Sequence, residues 1–327
     1  MRTATLFLVS MMIAVLAGEV IVRSLVPVRN VGPTFSEYDP VYGKRLKKSF
    51  SCTRTAAEFT MRFSTNSLGF RGAEPSSFPA GGILFIGDSF TSGYGVNDGE
   101  EFPALIARQL DEAGSKASVP VVNAGTGNTG NGYWLRFLEH EYDRFRPRAI
   151  VFGFCVNDFL DNAVEQLYTV DQDGRLQETG IMPRQEAARG AQAVIEAVPG
   201  LAYSHLVGLA RQMFSESGAP PASSGEGMAD IVTYRLLDTV LAFTAERGVP
   251  ALLLQIGVDS TRGGPIEALA RKHGAVSLLA PSKADHPELY YTTDGHWNAA
   301  GHRAIASALL PLVRTALSQH PGEDPQQ

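Results

Sequence analysis

The sequence predicts an α/β fold: a three-layer α/β/α sandwich with a central parallel five-stranded sheet, preceded by a small β-rich lead-in. Three observations carry this. From Ile83 onward, short apolar runs alternate with helix-period patterns, as in one parallel sheet covered on both sides by helices. The runs are continuously apolar, the mark of strands buried on both faces. Ahead of them, Val31 to Pro79 is polar and lacks helix periodicity, while Phe59 to Thr65 alternates in the strand manner.

Taken in order, the chain opens with Arg2 and an apolar run from Ala4 to Gly18, a basic start followed by a hydrophobic stretch that directs a chain to a membrane. Apolar character resumes at Val20-Ile21-Val22 before Arg23, giving about 20 residues, enough to span a bilayer. We read residues 1–23 as an uncleaved signal-anchor, with a signal peptide cleaved after Ala17 as the alternative. Cys52 lies too far from this segment to be a lipid-attachment site. Residues 24–80 form the lead-in, where Asn66-Ser67-Leu68-Gly69 reads as a turn.

The main domain is expected over 81–318. Ile83 to Gly87 is its first strand, followed by a helix with Phe102, Leu105, Ile106 and Leu110 on one face. Val119 to Asn123 is the second strand, a helix through Leu135, Leu138 and Tyr142 follows, and Ala149 to Phe154 is the third strand. A helix marked by Val232, Leu236, Val240 and Phe243 is ended by Gly248 and Pro250. Ala251 to Ile256 and Ala275 to Leu279 complete the five strands. The last helix carries Ile305, Leu309, Leu312, Val313 and Leu317, with Asn298 as N-cap and a kink at Pro311. Between the third and fourth strands, residues 159–228 are too long for a plain crossover. They hold a hairpin around Asp173-Gly174, two short helical patterns and a Gly/Pro/Ser linker at 218–225. An insertion rising from the C-terminal edge of the sheet is placed to act as a lid over substrate access. Residues 319–327 read as a disordered tail.

Composition narrows the partners. The 327 residues are 44% hydrophobic and 19% charged with a net charge of -6, so no basic stripe exists to bind a phosphate backbone, and nucleic acid is excluded as a partner. Two cysteines, Cys52 and Cys155, permit at most one disulfide and have no metal-site spacing.

The chemistry starts at Gly87-Asp88-Ser89, where a buried strand hands a hydroxyl to a crevice. Ser89 there is either a nucleophile or a plain helix cap. A nucleophilic serine needs a base, an orienter for that base and donors for an oxyanion. Asp294-Gly295-His296, just before the last helix, supplies the first two: His296 to take the Ser89 proton and Asp294 to fix its tautomer. His302 is better suited to capping or packing than to a metal. Trp297 and Tyr133 are candidates for either pocket or core, and Cys155 for a small packing residue.

With Gly-Asp-Ser at the first strand end, Asn123-Ala124-Gly125-Thr126-Gly127-Asn128-Thr129-Gly130 after the second, Asn157-Asp158 after the third and Asp294/His296 before the last helix, the sequence resembles the SGNH (GDSL-type) hydrolase superfamily. The blocks occur in order from Ile83 to Leu317. The stretches Asn66 to Gly72 and Asp294 to His302 are similar to the bacterial membrane-anchored branch. The resemblance implies a flavodoxin-like sandwich and assigns catalytic roles to Ser89, His296 and Asp294. It implies oxyanion donors from Ser89 N–H, Gly127 N–H (Asn128 as the alternative) and the Asn157 amide, with Asp88 and Asp158 in support. Two positions depart from the pattern. Cys155 stands where a glycine is usual, and Thr293 stands three residues before the histidine, where the carboxylate often lies. The shorter spacing resembles polysaccharide O-acetylation proteins. The activity implied is a serine esterase that needs no cofactor or metal, acting on an acyl ester such as an acetylated glycan or a lipid. It would work on the periplasmic side of an inner membrane. An O-acyltransferase acting on a polysaccharide and a non-catalytic carbohydrate-binding protein of the same fold are the alternatives.

Overall fold

The computed structural model describes residues 2–26, 28, 30–112, 119–180, 183–198, 200–216 and 226–320. The linker proposed at 218–225 and all of the tail beyond residue 320 lie outside the described residues. In chain order the elements are α1 (Arg2–Leu25), strands β1 (Ser36–Asp39), β2 (Gly43–Leu46), β3 (Ser51–Thr55), β4 (Thr60–Ser64) and β5 (Ile83–Gly87), the single turn α2 (Ser89–Ser92), α3 (Phe102–Glu112), β6 (Val121–Asn123), α4 (Asn131–Phe145), β7 (Ala149–Cys155) and α5 (Asp158–Glu165). There follow β8 (Tyr168–Val170), β9 (Leu176–Glu178), α6 (Pro183–Ala197), α7 (His205–Glu216), α8 (Glu226–Glu246), β10 (Ala251–Ile256), α9 (Ser260–Lys272), β11 (Val276–Leu279) and α10 (Ala299–Gln319).

The five main strands form one parallel sheet in the order β11-β10-β7-β5-β6. Because successive side chains point to opposite faces, each apolar run feeds two cores. Leu84, Ile86, Ile150, Phe152 and Leu253 pack with α4 and α8, whereas Ile83, Phe85, Val151, Leu252 and Leu254 pack with α3 and α10. At about 1.5–3 kcal/mol for each large side chain buried, this two-sided burial is what holds β5, β7 and β10 at the centre.

The edges differ from the sequence reading. The second strand begins at Val121 instead of Val119, because Pro120 has no N–H to give a ladder; only its carbonyl takes part, accepting from Ile83 N at 2.8 Å. Ala275 N–H closes the end of α9 on Ala270 O at 2.8 Å, so β11 starts one residue late. As an edge strand β11 also leaves Val276 and Leu279 exposed, where the continuous apolar run predicted burial. Asn298 caps α10 as expected, accepting from Ala300 N and Gly301 N, and the helix runs on through Pro311.

The lead-in folds as two antiparallel hairpins, β1–β2 and β3–β4, around Phe35, Leu46, Cys52, Met61 and Phe63. Arg71 ties it to the main domain. Its buried guanidinium lies over the Phe63 ring and donates to Ser92 O (2.8 Å), Gly93 O and Val96 O (2.7 Å), carbonyls at the end of α2 and just beyond it. The same residue bridges to Asn123, covering the β6 edge.

The region between α5 and α8 holds the expected hairpin, β8–β9, with Asp173-Gly174 at its turn. Its helices face the lead-in and the N-terminal helix. Gln192 on α6 donates to Ser36 O (3.2 Å), and Lys47 pairs with Glu196 at 2.7 Å. Glu19 on α1 accepts from Ser204 Oγ (2.7 Å), His205 N (2.7 Å) and Leu206 N (3.1 Å), capping α7. The 24-residue α1 is long and apolar enough to cross a membrane, and its large apolar side chains from Leu6 to Ile21 are exposed. Cys52 and Cys155 are both free thiols, each buried.

Candidate active site

Strand β5 is fully buried and ends at Gly87, where α2 turns back across the sheet. A Cβ on Gly87 would stand 2.2 Å from Thr91 Oγ1 and 2.9 Å from Gly153 O, so only glycine lets the turn lie this close to β7. Asp88 then caps α2, its carboxylate accepting from Phe90 N at 2.9 Å, and Ser89 becomes the first helical residue at the C-terminal edge of the sheet.

His296 arrives on the loop between β11 and α10, at the same C-terminal edge of the parallel sheet. Its Nε2 lies 2.8 Å from Ser89 Oγ, and its Nδ1 lies 2.5 Å from Asp294 Oδ1. A carboxylate only accepts, so Nδ1 carries the ring proton and Nε2 is left as the acceptor for the Ser89 hydroxyl. The imidazole is held between aromatic rings, with Phe90 at 4.8 Å and Tyr94 at 4.9 Å between centroids. Gly295, at φ +89°, lets the chain turn sharply enough for Asp294 and His296 to converge. The arrangement lets the ring take a proton from Ser89 while a carboxylate stabilises the imidazolium.

Gly127 lies directly against Ser89. A Cβ built on it would sit 3.5 Å from Ser89 Cβ and 3.8 Å from Ser89 Cα, ordinary contacts that narrow the space beside the serine. Asn128 is exposed, with φ at +54°. We expect Gly127→Ala to fold normally, with a Tm within about 2 °C of wild type since nothing clashes. The added methyl should slow acylation of Ser89 by roughly tenfold, read as the labelling rate with a fluorophosphonate. Asn157 opens α5, and its amide donates to Asp161 Oδ2 at 2.6 Å and reaches Asp88 on the other side. Asp158 holds the turn after β7, accepting from Cys155 N (3.3 Å) and Asn131 Nδ2 (3.4 Å).

Carboxyl groups crowd the floor of this site. Burial pushes the Asp88 carboxyl up against the pull of Phe90 N–H, pushes Asp158 well above the usual range, and moves Asp161 up to about 6. Glu165, one turn beyond Asp161, is raised by burial too, and faces the Lys44 ammonium, which burial lowers. Lys44 reaches in from β2 and donates to Gly127 O at 2.7 Å. Cys155 is buried with its thiol pushed well above the ordinary value, which suits packing and not nucleophilic attack.

The sequence reading did not single out Lys44, Glu58, Arg71, Asp161 or Glu165. Asp161 and Glu165 stand four and eight residues after Asn157 on one amphipathic helix, a spacing that would have placed both beneath the amide. The partners of Lys44 and Glu58 are distant in sequence and carried no local signal. His302 is buried, takes Phe102 N–H on Nδ1 at 3.3 Å, and is lowered to about 3 by burial, which makes it a packing residue. Among the described residues no group of His, Cys, Asp and Glu has a metal-binding arrangement. Trp297 and Tyr133 are both buried, Trp297 between Phe90, Phe102 and His302.

The chain is similar in structure to TesA, at 14% identity over 72% of this chain and 99% of that one, with a TM-score of 0.42. It is likewise similar to Axe2, an acetylxylan esterase from Geobacillus stearothermophilus, at 13% identity over 72% of this chain and 96% of that one, with a TM-score of 0.41. A two-domain esterase (CEX) active on acetylated mannans shares 14% identity over 76% of this chain and 51% of that one, with a TM-score of 0.42. No curated protein matches the chain. The model of the GDSL-like lipase/acylhydrolase family, by contrast, matches residues 85–304 of the 327, a span that runs from β5 and the Ser89 turn to the start of α10. The chain therefore belongs to the GDSL-like lipase/acylhydrolase family and is an SGNH-type hydrolase.

Proposed function

We propose that the protein is a serine esterase that hydrolyses an acyl ester, such as an O-acetyl group on a cell-envelope glycan, through an acyl-serine intermediate. The observation that carries this reading is the unbroken chain Ser89 Oγ, His296 Nε2, His296 Nδ1, Asp294 Oδ1, with its links of 2.8 and 2.5 Å. Ser89 Oγ attacks the ester carbonyl carbon as its proton passes to His296 Nε2. The oxyanion that forms is met by the N–H groups of Ser89 and Gly127, and by the Asn157 amide as it turns from Asp161 and Asp88 to the substrate, each donor worth roughly 3 kcal/mol in such a site. The intermediate collapses, His296 returns the proton to the departing alcohol, and the acyl group remains on Ser89. Water then attacks the acyl carbon, giving its proton to His296, and the carboxylic acid leaves as Ser89 is reprotonated.

The apolar α1 supports a place at the outer face of an inner membrane, where α1 anchors the chain and residues 24–80 link it to the hydrolase domain. Capping of α7 by Glu19 favours retention of this helix in the mature protein, since it joins α1 to the region between α5 and α8.

Incubating the full chain in detergent with a fluorophosphonate probe is expected to modify Ser89, located by peptide mapping, and to stop p-nitrophenyl acetate hydrolysis in proportion. Modification elsewhere, or turnover that survives complete labelling, would remove the acyl-serine route. With an acetyl donor and a glycan both present, acetate should appear faster than acetylated glycan. The opposite order would make the protein a transferase with the same three side chains.

A further inference from the structure

The turn between β3 and β4 reaches the loop that carries Asp294 and His296. The Glu58 carboxylate accepts there from three successive backbone N–H groups, Thr292 (2.8 Å), Thr293 (2.7 Å) and Asp294 (2.8 Å), and from Thr293 Oγ1 (2.5 Å). Consecutive N–H groups converging on one anion form a nest, and bonds to an ionised acceptor are stronger than neutral ones. The neighbouring Phe59 ring lies 4.7 Å from that of Tyr291, whose hydroxyl donates to Gly95 O at 2.7 Å. The far side of the loop is closed by Tyr291 N–H on His296 O at 2.9 Å. The bend that brings Asp294 onto His296 is thus fixed from both ends.

We propose that Glu58 is a positioning residue: its carboxylate, supplied by the lead-in, holds the 292–294 backbone in the one bend that aims Asp294 at His296 Nδ1. The proposal rests on the esterase reading above and extends it to a residue outside the segment that matches the family, 85–304. It accounts for the short spacing. Asp294 stands two residues before His296, and Thr293, one place further back, turns its hydroxyl to Glu58. A carboxylate on so short a tether meets the ring only if the preceding peptides are turned the other way, and three N–H groups bound to Glu58 turn them so. The hydrogen bond from Thr293, with those from the backbone, also keeps the Glu58 carboxyl down at about 2, so the clamp is ionised at any working pH.

The test compares wild type, Glu58→Ala, Glu58→Gln and Thr293→Val as full chains in detergent, by p-nitrophenyl acetate kinetics and by amide hydrogen exchange over residues 291–297. For Glu58→Ala, kcat should fall by about 10- to 100-fold with KM within about twofold, because the misplaced base acts in the transition state and not in binding. Exchange at 292–294 should quicken in the same variant. Glu58→Gln keeps one acceptor oxygen and should lie between, and Thr293→Val, which loses only the hydroxyl, should lie nearest wild type. That graded order is one a general loss of folding does not produce, and Glu58→Gln with Thr293→Val carries the test if Glu58→Ala is unstable. Unchanged exchange, or a kcat within twofold of wild type in both Glu58 variants, would overturn the proposal. An inert wild type whose 292–294 exchange still quickens in Glu58→Ala would keep the clamp and overturn the esterase reading.

Discussion

Ser89→Ala and His296→Ala are each expected to lower kcat for p-nitrophenyl acetate by about 10⁴-fold or more, and the double variant to be no slower than either alone. The expectation follows from the geometry. The nearest base to Ser89 Oγ is His296 Nε2 at 2.8 Å, with the Asp88 carboxylate farther off at 3.4 Å, and His296 has no nucleophile to activate once the hydroxyl is gone. The two side chains are therefore one device, and removing half removes all of it, which is why the losses do not multiply. Asp294→Ala should be milder by about tenfold to a hundredfold, since the imidazole keeps its place between Phe90 and Tyr94 and loses only the acceptor that fixes its tautomer. Steady-state kinetics on the four proteins check this. A His296→Ala enzyme with more than about a hundredth of wild-type kcat would mean that another base serves Ser89. An Asp294→Ala loss equal to that of His296→Ala would show that the ring cannot hold its tautomer without the carboxylate.

Ser89, Asp294 and His296, which the structure brings within hydrogen-bond reach of one another, were legible because Gly-Asp-Ser, the Gly-rich turn, Asn157-Asp158 and Asp294/His296 follow one another in a fixed order along the chain, where each block alone says little. The five strands were legible because continuous apolar runs are what two-sided burial requires. Their limits were less so, because Pro120 and Ala275 are set by hydrogen bonds that a run of apolar letters does not encode. The residues that steady the site were not legible. Lys44, Glu58 and Arg71 act through main-chain carbonyls and N–H groups of loops far along the chain, and a backbone partner leaves no letter in the sequence. The lead-in therefore read only as a small β-rich segment packed against the main domain, with none of its side chains marked for the site. In the structure it grips the turn after Ser89, the loop at Gly127 and the loop at Asp294, one side chain to each.

Asp161→Asn is expected to be more stable than wild type above pH 6 and to lose that advantage as the pH falls towards 4. Burial lifts this carboxyl from its ordinary 3.8 to about 6, against the bond from the Asn157 amide and with Asp88 as a like charge nearby. Lys44 pulls the other way. In the unfolded chain the same carboxyl ionises near its ordinary value, so between about pH 4 and pH 6 the native state holds more protons than the unfolded one. Stability from this group is therefore full below the lower value and is lost as pH rises through the upper one. Above pH 6 the native protein carries an ionised carboxylate at a cost of about 3 kcal/mol at most, given 1.4 kcal/mol per tenfold change. Asparagine cannot ionise and still offers an oxygen to the Asn157 amide, so it removes the slope while keeping the contact. Urea unfolding of both proteins at pH 4, 5, 6 and 7 should show the stability difference growing by about 2–3 kcal/mol across the series. A difference that stays flat would mean that Asp161 is ionised without penalty, with Lys44 as its full counter-charge. Lys44→Met would then separate the two cases, since it should raise the slope if Lys44 carries that charge and leave it unchanged if burial alone governs Asp161.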